Sequence, residues 1–215
     1  VSPAQLTPAA GEQSACADLG GTVDAKRICH AHSAGPGYEV TFTFPVDYPD
    51  QQALRKYMSQ RRDDFIGYAA ERPPVDHPYE LDAGAAAYEP GTPTSGTKSL
   101  VFEEYSDSGA AHPSTHYQAF TYDSNKGAAI TFDTLFTPGT DPVAVLDQIV
   151  RRQWEEFSDD YGSLGDNTLG AQLYQNFALT DDAVIFFIGQ GQWLPQVAGQ
   201  REVSVPRAEL ASLLA

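Results

Sequence analysis

Lysine and arginine are scarce in this chain, 13 in 215 residues, against 29 acidic residues and a net charge of −16. That balance excludes a duplex nucleic-acid partner, because phosphate binding needs clustered cations. An anionic membrane surface is disfavoured on the same ground. No apolar run approaches the roughly 18 residues a spanning helix needs, so stable membrane insertion is not expected. The P-loop, the dinucleotide glycine fingerprint and the zinc pattern H-E-x-x-H are all missing, and neither a cofactor nor a metal is expected. G-x-S-x-G is missing too, which removes the usual serine-hydrolase elbow. Its nearest approach, Tyr161-Gly-Ser-Leu-Gly165, carries tyrosine in place of the first glycine.

Cysteine is nearly absent as well: Cys16 and Cys29 are the whole complement. Two cysteines enclosing a short loop near the start of a chain read as one disulfide made in an oxidising compartment. Such a loop stabilises by about 3 kcal/mol in the chain-entropy view. Two buried free thiols are the blander alternative. The opening VSPAQLTPAAGEQSA is small, polar and proline-containing, like the start left by a cleaved signal peptide.

What the chain has in quantity is aromatic side chains, 11 Phe and 11 Tyr within 41% hydrophobic residues, enough to bury a core. We read residues 1–15 as a flexible tail and 16–215 as one domain. Val40, Phe42 and Phe44 alternate as in a half-buried strand. A helix over about 48–71 follows, opened by Pro49 with Asp47 and Asp50 near its positive end. Its stripe is Leu54, Tyr57, Met58, Arg61, Phe65 and Tyr68. Extended segments are expected at 79–88, 99–105, 114–122, 129–132, 174–179, 183–188 and 202–205. A second helix, about 142–158, starts at Asp141-Pro142 and lays down Leu146, Ile149, Val150, Trp154 and Phe157. A short helix over 206–214 closes the chain. Hairpin-joined strands with two long inserted helices predict an α+β fold, a mostly antiparallel sheet packed by those helices, rather than a parallel βαβ fold.

The candidate chemistry is sparse. His112-Pro-Ser-Thr-His116 places a hydroxyl, Ser114, between two imidazoles, the raw material of a nucleophile and base, with Asp107 or Asp123 as orienting acid. The structural alternative is that His112 and Pro113 shape the start of a strand while Ser114 bonds local backbone. His30 and His32 share a face of an extended segment but lack further ligands, so local bonding is the simpler role. The acidic loop 158–166 fails calcium-loop spacing. Glu103-Glu104 and Glu155-Glu156 are adjacent pairs, poorly placed for glycosidase chemistry. Trp193, in a Gly/Gln loop, is a candidate for an exposed binding contact.

Three stretches resemble the secreted immunogenic-protein family of mycobacteria. They are Phe44-Pro-Val-Asp-Tyr-Pro-Asp-Gln-Gln-Ala-Leu54, then Gly109 to Phe120 continuing through Ile130 to Phe136, then Tyr174 to Phe187 with Leu194-Pro195 and Val205-Pro-Arg207. That family shares its domain with the lysozyme-sensing anti-sigma factor of the RsiV type. The resemblance runs from about Cys16 to Ala215 and departs at Gln190-Gly-Gln-Trp193, where relatives are richer in tyrosine. It implies an exported, immunogenic α+β domain, secreted into the extracellular space, with cell-wall association as a variant. It leaves two activities open: a non-enzymatic binding domain, as in the anti-sigma factor, and a weak carboxylesterase for short acyl esters. The first is our expectation, with a host or cell-envelope macromolecule as partner, a cationic protein among the candidates, and a monomeric chain.

Overall fold

Ser14 accepts from the Ala17 amide at 3.3 Å and starts a single turn, α1 (Ala15–Asp18). The computed structural model describes residues 14–73, 76–91, 96–155 and 169–215. Ser14 and Ala15, read as the end of a tail, here cap and open α1, with Ala15 fully buried; residues 1–13 lie outside the described residues. After α1 come β1 (Thr22–Val23), β2 (Ile28–Gly35) and β3 (Tyr38–Pro45). The disulfide forms as expected, Cys16 to Cys29, tying α1 to β2.

Helix α2 (Gln51–Ala70) starts later than Pro49 because Asp50 is its cap, its carboxylate accepting from the Ala53 amide at 2.9 Å. It ends before the Arg72-Pro73 pair, as proline requires of the residue preceding it. Strands β4 (Tyr79–Tyr88), β5 (Thr97–Asp107), β6 (Ser114–Asp123) and β7 (Ala128–Ile130) follow, then a turn, α3 (Phe132–Leu135), and the long α4 (Pro142–Glu155). Phe157 and the 158–166 loop lie outside the described residues. The remainder is β8 (Phe177–Leu179), β9 (Ala183–Ile188) and β10 (Arg201–Pro206).

The fold is α+β. Strands β1 to β7 form one sheet in sequence order, antiparallel throughout except at β3 and β4, which run parallel. The exception follows from α2: a helix between two strands returns the chain to the starting end, so the next strand can only run the same way. One face of this sheet meets α2. Phe42, Phe44, Leu81 and Phe102 close on Leu54, Met58 and Phe65, each burial contributing about 1.5–3 kcal/mol.

Strands β8 to β10 form a second antiparallel sheet, covered by α4 through Leu146, Ile149 and Val150. This sheet packs on the face of the first that α2 leaves free, with Phe187 and Ala178 against Val101 and Tyr117. Buried hydroxyls stitch the sheets together. Thr121 Oγ1 lies 3.0 Å from both Phe177 O and Ser99 Oγ, and Ser99 Oγ accepts from the Leu179 amide at 3.2 Å. The strand expected from Tyr174 begins only at Phe177, because Tyr174 closes a 3₁₀ turn over Ala171–Tyr174. The closing helix shrinks to a 3₁₀ turn over Arg207–Leu210, because Leu214 is drawn into a bridge with Phe136.

Candidate functional site

Strand β6 pairs with β5 along its length but with β7 only at Thr121–Asp123, which leaves the backbone edge of residues 115–119 without a strand. Unpaired backbone groups are costly when water is excluded. Two amide side chains from the far lobe replace the missing neighbour. Asn176 accepts from the Ala119 amide at 2.9 Å and donates to Tyr117 O at 2.8 Å. Gln190 accepts from the Thr115 amide at 3.1 Å through its side chain, and its own backbone amide donates to Thr115 O at 2.8 Å.

Between that clamp and the start of α2 lies a cleft of about 320 Å³. Gln118 and Phe120 of β6 line it, with Tyr48 and Ala53 on the α2 side, Gln175 and Asn176 opposite, and Ala129 and Thr131 at the β7 end. The Tyr48 ring meets Phe120 and Tyr122 edge-on. Burial raises the Tyr48 phenol well above its ordinary value, so its hydroxyl keeps its proton, and it has no hydrogen bond among the described residues. Gln118 and Gln175 commit their amide nitrogens to Ala119 O and Ala171 O at 3.2 and 2.8 Å, and their carbonyl oxygens have no donor among the described residues. The lining carries one charge, Asp50, whose carboxylate caps α2.

Further along the same face of β6 stand His116 and Ser114, opposite Glu104 and Ser106 of β5. Arg61 of α2 donates from Nε to Glu104 Oε2 at 2.7 Å. Burial pushes the Glu104 carboxyl up to about 7. It pushes the His116 imidazole down, and the nearby Arg61 charge adds to that shift. His116 is thereby held neutral near pH 7, the form that can accept a proton.

Ser114 is half-buried, while His112 is exposed in the loop before β6. No hydrogen bond joins Ser114 to either imidazole. Asp107 and Asp123 do not orient them: Asp107 accepts from the Gly109 amide at 3.0 Å, and Asp123 from the Asn125 and Lys126 amides at 2.8 and 3.1 Å. Both close turns. The sequence places Arg61 on the α2 stripe and Glu104 in an acidic pair but does not show that the two meet. The available signal was a glutamate in the apolar phase of Leu100 and Phe102, the phase that faces α2.

The other histidines bond locally, His30 to Asp24 and His32 to Thr41, each at 3.2 Å, and His77 to Pro78 O at 3.3 Å. Among the described residues, no group of three His, Cys, Asp or Glu is placed to hold a metal ion. Trp193 is half-buried, its ring 5.5 Å from that of Trp154, and it packs against the cluster of Leu194 and Ala198.

The family described as a protein of unknown function, DUF3298, matches residues 133–208. Esterase Rv3036c of Mycobacterium tuberculosis is 45% identical over 207 residues, covering 96% of this chain and 91% of that protein. Immunogenic protein MPT64 of the same species is 38% identical, covering 96% of this chain and 90% of that protein. A DUF3298 family protein of Pseudomonas aeruginosa has a similar solved structure, with a TM-score of 0.60 at 12% identity, covering 89% of this chain and 95% of that one. That likeness is one of fold.

Proposed function

The chain belongs to the mycobacterial family that contains immunogenic protein MPT64 and esterase Rv3036c, and on that footing we propose that it is a secreted, extracellular binding domain whose ligand seats in the cleft over β6. The observation that carries this reading is the cleft itself, whose volume of about 320 Å³ lies at the small end of ligand pockets. It joins apolar rings to a phenol and two amide oxygens that have no hydrogen-bond partner among the described residues, the mixture by which a pocket both holds and orients a guest. The clamp of Asn176 and Gln190 keeps the cleft preformed, which lowers the entropy cost of binding. Export is supported by the Cys16–Cys29 disulfide and by the immunogenic relatives. The net charge of −16 would speed association with a cationic host or envelope protein.

A second reading is hydrolysis of short acyl esters. The 45% identical esterase favours it, and so does the shared face of Ser114, His116 and Glu104 next to the cleft. In it Ser114 is the nucleophile and His116 the base.

One experiment separates the two. Purified protein is incubated with nitrophenyl acetate and with a fluorophosphonate probe, beside Ser114→Ala. Binding without chemistry gives no turnover above background and no labelled residue. Turnover lost in Ser114→Ala, with the probe mapped to that residue, establishes the esterase instead.

A further inference from the structure

Resting on the reading of the β6 cleft as a binding site, we infer that the ligand class it takes is a neutral sugar bearing an acetamido group. The lining holds no Lys, Arg or His, so an anionic ligand finds no counter-charge, and Asp50 repels one. A purely aliphatic ligand would strip water from the Tyr48 hydroxyl and from the carbonyl oxygens of Gln118 and Gln175 without replacing the lost hydrogen bonds. A sugar meets each of these groups. Its hydroxyls donate to the two glutamine oxygens, and its acetamido carbonyl accepts from the Tyr48 phenol, which burial keeps protonated. The acetamido methyl and the apolar face of the ring lie on Phe120 and Phe132.

The volume suits this class. A cleft of about 320 Å³ exchanges on the order of ten waters for a guest, ample for a sugar ring and far more than an ion needs. Ala129, exposed on β7, lines the opening and offers a place to block it.

Isothermal titration of the intact chain with N,N′-diacetylchitobiose tests the inference, with cellobiose as the matched disaccharide lacking acetamido groups. The acetylated sugar is expected to bind saturably and at least about tenfold more tightly than cellobiose, since a site built around a hydrogen-bonding group rejects the analogue lacking it. Tyr48→Phe weakens that binding about fivefold, and Ala129→Trp abolishes it without lowering Tm. Equal affinity for the two disaccharides overturns the acetamido class, and binding indifferent to both substitutions overturns the site. If neither sugar binds while a neutral nitrophenyl ester still occupies the cleft in an Ala129-dependent way, the sugar is wrong and the cleft survives. If nothing binds there, the functional reading falls with it.

Discussion

Arg61 on α2 donates to Glu104 on β5 at 2.7 Å, joining helix to sheet through a carboxylate whose side chain is only 8% exposed. Burial raises that carboxyl from an ordinary 4.5 to about 7. Between those values the folded protein binds more protons than the unfolded chain. Glu104 therefore contributes its stability in full below about pH 4.5 and loses it as pH rises through about 7. Urea midpoints taken from about pH 5 to about pH 8 should carry this falling component, and Glu104→Gln should remove it. Identical slopes would mean that Arg61 outweighs burial and keeps the carboxylate ionised throughout.

The Cys16–Cys29 bridge leaves no room beside it. A Cβ on Gly21 would stand 2.8 and 2.9 Å from the two sulfurs. Replacing both cysteines by alanine should cost about 3 kcal/mol. Gly21→Ala should cost about 1–3 kcal/mol in the bridged protein and markedly less in the cysteine-free background, where the sulfurs are gone. A double-mutant cycle by chemical denaturation reads the difference; strict additivity would refute the steric account.

Asn176 does the work of a strand. Asn176→Ala leaves the Ala119 amide and the Tyr117 carbonyl without partners, at a cost of about 1–3 kcal/mol. Hydrogen exchange at the Ala119 amide should accelerate more than at amides in the middle of β5. Unchanged protection of Ala119 would show that the clamp is dispensable.

In the second lobe, Tyr174 donates to Asp147 Oδ1 at 2.6 Å while the Leu169 amide donates to Oδ2 at 2.9 Å. Tyr174→Phe removes one of these bonds and should cost about 1–3 kcal/mol. Asp147→Ala strands two donors and should cost more. The order of the two denaturation midpoints checks this, and the reverse order would contradict it.

Much of the secondary structure was legible because its causes are local. Val40, Phe42 and Phe44 alternate, and the structure buries all three. Asp141-Pro142 starts a helix, with the Asp141 carboxylate accepting from the Ala144 amide at 3.2 Å. Strand β2 reads in sequence only as an extended segment carrying His30 and His32 on one face, because its inward residues include Cys29 and Ala31, too small to make an apolar alternation stand out. Glu104 reads in sequence beside Glu103, as a pair poorly placed for glycosidase chemistry, and only the strand register sets it opposite His116. Asp147 is similar, a charge on a helix stripe that becomes sensible once Tyr174 and Leu169 reach it.

Alone, the amino-acid sequence determined the phase of Val40, Phe42 and Phe44, the helix start at Asp141-Pro142, the pairing of the two cysteines and the net acidity. Each depends on residue type and on neighbours a few positions away, where sterics, capping and composition act directly. Tertiary packing decided the parallel alignment of β3 with β4, the separate second sheet, the Glu104–Arg61 pair and the cleft. Tyr48, Gln118 and Asn176 come from distant parts of the chain, and what brings them to one cavity is the burial of two sheets against each other, a cooperative choice that no local pattern encodes.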